Sequence, residues 1–149
     1  MYIVGVDPGK TGAAAHIHNG QLVGVQAFKG NIEECRKIAP SKHIIDPVFF
    51  IEQVTASPQQ GTVSAFTFGK WAEAVETTAI LTGHKVIMVR PQKWQNAIGI
   101  FSAGDKKIIY ARAQKLFPNE YRMGMFNQAT ADAVMIAYYG YRYIIYQEE

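Results

Sequence analysis

Cys35 is the only cysteine in a chain of 149 residues. That excludes a disulfide within the chain and a metal centre built from several thiolates. Cys35 lies among charged residues on a short predicted helix, as an incidental thiol, with a reactive nucleophile as the alternative. A single thiol suits a reducing cytoplasm. No apolar run approaches the ~20 residues that a membrane-spanning helix needs, so no membrane partner is expected. The start of the chain lacks the basic segment and apolar core of a secretion signal. There are no repeats and no low-complexity segments. An apolar content of 48% with 12% aromatics argues against disorder. One domain over residues 1–149, long enough for a substantial core, is the simplest organisation.

A phosphate-binding loop is also missing, although the segment GVDPGKT, residues 5–11, looks like one at first sight. The phosphate-cradling pattern is G-x-x-x-x-G-K-[ST], and here only three residues separate Gly5 from Gly9. Such a loop must open a helix, whose free N–H groups hold the phosphates. The chain continues instead with an apolar run, then Asn19-Gly20, then a second apolar run. Asn-Gly between two such runs predicts a hairpin. No nucleotide cofactor is expected, and the residue left to explain is Asp7, at the end of the strand Tyr2–Val6.

Net charge is only +3, but it is unevenly spread. Between Lys85 and Arg122 there are eight basic residues against the acids Asp105 and Glu120. Such a concentration suggests a phosphate-rich partner, with a solvated basic face as the alternative.

Strands are predicted over 2–6, 12–18, 21–28, 48–52 and 86–89. Helices are predicted over about 31–38, 62–81, 91–97, 105–116 and from about 129 to beyond 137. Asn31 can cap the first helix, and Pro118 lies beyond the end of the fourth. Hairpin strands succeeded by alternating strands and helices give an α/β fold, a mixed sheet flanked by helices. The apolar runs near residues 48 and 86 suit parallel, central strands. Phe66, Trp71, Val75 and Ala79 form a stripe on the long helix, as core or as a dimer face. Phe66, Phe68 and Trp94 are expected in the core.

Ligands of such sheets gather at the carboxyl ends of strands. Asp7 ends the first strand and Glu52 the fourth. Asp132 precedes the apolar run of the last helix, where an unpaired charge is costly. Each acid has a structural reading: Asp7 as a turn residue, Glu52 paired with a lysine, Asp132 as a first-turn acid. Brought together, the three make an oxygen cage for Mg²⁺ or Mn²⁺. His16 and His18 alternate along a strand and do not suit zinc. A carboxylate cage beside basic residues suits phosphodiester hydrolysis, with one or two ions per site.

VGVDPGKTG, then FFIEQV, then ADAVMIA in a carboxyl-terminal helix resembles the RuvC family of Holliday junction resolvases, and more closely its compact phage-type members. SPQQGTVSAFTFG and VRPQKWQ are similar to phage-type segments, so the resemblance spans nearly the whole chain in order. It implies a ribonuclease H-like fold, a homodimer, a divalent metal and paired nicking of four-way DNA junctions in a bacterial or phage-infected cell. Asp7, Glu52 and Asp132 match the metal-binding acids. Lys93, Lys106 and Lys107 lie where the family carries basic residues near the scissile phosphate. Members usually have a fourth acid three or four residues before the last; here Gln128 and Ala129 stand there. Gln128 offers a metal only a carbonyl oxygen, and Asp105 is a possible replacement acid. The aromatic that cellular members carry soon after the second acid is missing, with Thr55 near that point and Phe66 or Phe68 as the alternative substitutes.

Lys10, Gln59 and Gln60 are candidate contacts to the DNA backbone, with Lys106, Lys107, Arg112 and Lys115 holding further phosphates. Lys93, beside Gln92 and Trp94, is a candidate near the cut. Two other readings stay open on the residues alone: a non-catalytic branched-DNA-binding module on the same fold, and an ATP-binding actin-like lobe, for which the chain is short.

Overall fold

The computed structural model describes residues 1–9, 11–28, 32–53, 61–101 and 105–148. A five-stranded sheet forms its centre. The strands are β1 (Tyr2–Asp7), β2 (Gly12–His18), β3 (Gln21–Phe28), β4 (Val48–Glu52) and β5 (Lys85–Val89), in the spatial order β3-β2-β1-β4-β5. The first three form an antiparallel meander, while β4 runs parallel to both β1 and β5. Asn19 and Gly20 both have positive φ, 48° and 85°. That is what a two-residue turn matching the twist of β2 and β3 requires.

Side chains alternate between the faces. Val4, Val6, Ala14, Phe49 and Ile51 pack on one side with Val75 and Ala79 of α2 (Thr62–Leu81), near α1 (Ile32–Cys35). Cys35 is buried in that layer, and burial pushes its thiol up in pKa. Ile3, Ala13, Ala15 and Phe50 pack on the other side. There they meet α3 (Pro91–Ala97), α4 (Lys106–Leu116) and α6 (Ala131–Glu148). A short α5 (Pro118–Arg122) joins the last two.

Three expectations need correction. Strand β4 is central, but among the described residues β5 pairs on one side only and lies at the sheet edge. Val86 and Met88 pack on one face and Ile87 and Val89 on the other. Its apolar run therefore reports two covered faces, not two paired edges. Secondly, Phe66 is 77% exposed and Phe68 only partly buried. Phe66 is nine residues, or about two and a half turns, from Val75 and so faces away from the sheet. The stripe breaks at its five-residue step. Thirdly, Pro118 opens α5 as its first residue, a position that proline favours, instead of only ending α4.

Helix α6 begins at Ala131, two residues later than expected. The Ala129 N–H donates to Asn127 Oδ1 at 2.9 Å, and the Asn127 N–H donates to Thr130 Oγ1 at 3.1 Å. Those side chains hold residues 127–130 in a turn that competes with helix.

Candidate active site

Asp7, Gly5 and Ile3 alternate onto the α6 side of β1, as do Glu52 and Phe50 on β4. In the parallel register Gly5 faces Phe50 and Val6 faces Ile51, so Asp7 and Glu52 come next, side by side at the carboxyl ends. Gly5 fixes the third acid. A Cβ at Gly5 would lie 2.6 Å from the Ala133 carbonyl oxygen and collide with the Ala137 backbone. Without it, α6 lies directly against β1, and Asp132 in its first turn arrives beside Asp7.

The three acids line a cleft of about 1070 Å³. Pro8, Gly9 and Thr11 form one wall, and the start of α2 forms another through Thr62, Val63, Thr67, Phe68 and Trp71. Lys106 enters from α4, its Nζ 3.2 Å from Asp132 Oδ2. Glu52 Oε2 accepts a 2.7 Å hydrogen bond from the indole N–H of Trp94.

The electrostatics arise from crowding. Asp7 is raised to about 8, first by loss of water and then by the charges of Glu52 and Asp132, with Lys106 opposing. Glu52 is also raised, chiefly by burial and further by Asp132, while the Trp94 bond and Lys106 pull it down. Burial depresses Lys106, but Asp132, Asp7 and Glu52 outweigh it and leave its pKa raised. Lys106 is therefore a cation at neutral pH.

The donors suit a hard divalent cation. All are carboxylate oxygens, two of the acids are held above their ordinary pKa by burial and mutual repulsion, and Asp132 Oδ1 is buried without a hydrogen-bond partner. Among the described residues no three such side chains are gathered tightly enough to hold an ion as they stand. Asp132 Oδ2 pairs with Lys106, and one oxygen of Glu52 accepts from Trp94.

The cleft thus joins Asp7, Glu52, Asp132 and Lys106. Gln128 is exposed in the turn before α6 and is not among the residues that line the cleft. Asp105 caps α4, its Oδ1 accepting the Lys107 N–H at 2.9 Å, and is not among the residues that line the cleft. Lys107, Arg112 and Lys115 are exposed on α4 outside the cleft lining. Lys93 is exposed on α3, its Nζ 5.8 Å from the centre of the Tyr143 ring, and not in the cleft. Lys10, Gln59, Gln60 and Thr55 lie outside the described residues. The contact that sequence reading missed is Trp94 to Glu52. A buried indole needs an acceptor, and the acid ending the neighbouring strand was the available signal.

The mixed five-stranded sheet, with acids at the carboxyl ends of two parallel neighbours and on the last helix, has the ribonuclease H-like fold that solved RuvC structures share. The chain is similar to RuvC of Thermus thermophilus, with 17% identity and a TM-score of 0.67 over 99% of this chain and 97% of that one. It is similar to T. thermophilus RuvC in complex with a Holliday junction substrate, at 17% identity and a TM-score of 0.66 over 93% and 91%. A fowlpox virus resolvase solved with Holliday junction DNA gives 16% identity and a TM-score of 0.54 over 91% and 94%. No protein-family model and no curated protein matches the chain. The likeness establishes the fold that the sequence resemblance implied.

Proposed function

We propose that the chain is a metal-dependent, structure-selective DNA endonuclease that resolves four-way or other branched junctions, a crossover junction endodeoxyribonuclease. The carrying observation is that Asp7, Glu52 and Asp132 reach one cleft from three separate elements, with Lys106 beside them. Asp7, Glu52 and Asp132 would hold Mg²⁺, or Mn²⁺ in its place, as one or two ions. Bound there, a divalent ion activates water and stabilises the leaving oxygen of a phosphodiester. Lys106 carries a permanent positive charge at the cleft, so it binds a phosphate oxygen and does not act as a base. Lys107, Arg112 and Lys115 on α4 hold neighbouring phosphates, which fixes the backbone without reading bases.

Paired cuts on two strands need two sites, so the working unit is a homodimer. Val63, Phe66, Ile80 and Leu81 give α2 an exposed apolar face that supports this. Phe66→Asp should yield a folded monomer in sedimentation equilibrium; an unchanged dimer would reject that face. The setting is the cytoplasm of a bacterial or phage-infected cell.

The central test incubates a labelled four-way junction with Mg²⁺ or Mn²⁺, beside Asp7→Asn. Paired nicks are expected from the native chain and none from the variant. A native chain that binds the junction and never cuts it in either metal rejects the enzyme reading.

A further inference from the structure

We propose that Trp94 is a positioning residue for Glu52: its indole N–H holds one carboxylate oxygen so that the other is presented to the cation. The inference rests on the metal-dependent nuclease reading and goes beyond it.

The geometry begins with the sheet. Glu52 pairs with Val89 at the end of the β4–β5 ladder, and the Gln53 N–H continues that ladder to the Val89 carbonyl at 2.7 Å. The chain then turns at Arg90 into α3, with Pro91 at its start. Trp94 lies in the first turn of that helix. It is 1% exposed and packs in the layer that holds Phe50, Val89, Ile98 and Ile100. Its ring is therefore clamped on a rigid element. From there its N–H reaches Glu52 Oε2 at 2.7 Å, a short, charge-assisted distance.

The chemistry of indole suits the task. Its nitrogen donates and never accepts. It cannot compete for a cation or exchange its proton with the substrate. A bond at Oε2 restrains the carboxylate and would leave Oε1 for the cleft that Glu52 lines. Without it, Glu52 would rotate among its terminal torsions, which are broad. Partners behind a ligand that fix its orientation typically carry 10–100-fold of metal affinity.

The chain has two tryptophans, Trp71 and Trp94, so its indole N–H spectrum has two signals, assigned with Trp71→Phe. In the metal-free chain the Trp94 signal should lie downfield and move upfield in Glu52→Ala. The decisive variant replaces Trp94, in the Trp71→Phe background, with benzothienylalanine, which keeps the bicyclic shape and puts sulfur where the N–H was. Mn²⁺ affinity, measured by electron paramagnetic resonance without DNA, should fall by about 10-fold or more. Trp94→Phe should fall at least as far. An isostere that binds Mn²⁺ with the background chain's affinity, or an indole signal indifferent to Glu52→Ala, overturns the proposal. A native chain that binds no Mn²⁺ rejects the metal reading itself, so the two failures are distinguishable.

Discussion

The Nζ of Lys106 stands 3.2 Å from Oδ2 of Asp132, linking the first turn of α4 to the first turn of α6 at the cleft. The lysine side chain is 55% exposed and the aspartate 13%. A pair half open to water adds little to stability, and α4 is already anchored by buried Ile109 and Ala113. Its consequence is electrostatic. Among the described residues that line the cleft, one cation faces three acids, so the acids remain undercompensated. A site with that imbalance is poised for a further positive charge, and Lys106 is placed to meet a phosphate when one arrives.

Burial of the acids, reinforced by that imbalance, sets a pH dependence. The native chain binds the Asp7 proton up to about pH 8, whereas the unfolded chain releases it near the ordinary value of 3.8. Between those values the folded state holds more protons, so stability must fall as pH rises. Raised Glu52 acts in the same direction. Unfolding free energy measured in EDTA should drop by on the order of 3 kcal/mol from pH 5 to pH 8. Asp7→Asn should flatten much of that slope and melt above the native chain at pH 8. Mg²⁺ should raise the native melting temperature at pH 8 and raise that of Asp7→Asn much less. An Asp7→Asn curve parallel to the native one would remove the crowding from the account.

Gly5 makes a second prediction, on packing. A methyl group there meets the backbone of Ala133 and Ala137, and neither can rotate away. Gly5→Ala should cost at least about 3 kcal/mol, at the upper end of overpacking effects, in urea unfolding. Because the displaced helix carries Asp132, the variant should also lose Mn²⁺ affinity. Ala15→Gly, in the adjacent strand, should lose stability without losing Mn²⁺ binding. Native-like stability in Gly5→Ala would show that α6 does not press on β1.

The contrast between residues shows what a sequence exposes. The hairpin was legible because Asn19-Gly20 has one good backbone solution. The long helix matched from Thr62 to Leu81 because Thr82-Gly83 ends it, with Gly83 at φ 80°. Asp7 and Glu52 were legible as strand-end acids, and a parallel β1–β4 pair is the one fact needed to join them. The edge position of β5 was hidden because helices on both faces make an edge strand as apolar as a central one. Phe66 was misplaced because residue type favours burial, whereas helical phase assigned the core side to Ala72, Val75 and Ala79. Gln128 was picked out by its spacing from Asp132, as though both stood on one helix. Continued helix would have been needed, and the Asn127–Thr130 turn interrupts it. The Trp94–Glu52 bond joins residues 42 apart, so no local pattern carries it.

The exposed face of α4 supplies the last prediction. Ile109 and Ala113 face the core, while Arg112 and Lys115 point to solvent. If they hold phosphates, each releases counterions on binding, and the salt dependence counts them. The logarithm of junction affinity, plotted against the logarithm of salt concentration in Ca²⁺ without turnover, should lose about 0.9 of slope for each contact removed. Arg112→Ala and Lys115→Ala should each show that loss on every junction sequence, because phosphate contacts carry no base information. Their cutting rate at saturating protein should stay near native, since neither lines the cleft. Lys42→Ala is the control, because Lys42 is exposed in the segment leading into the amino end of β4, away from the strand ends that carry the acids. Slopes unchanged in both α4 variants would leave that face as ordinary solvated surface and move the DNA path elsewhere on the chain.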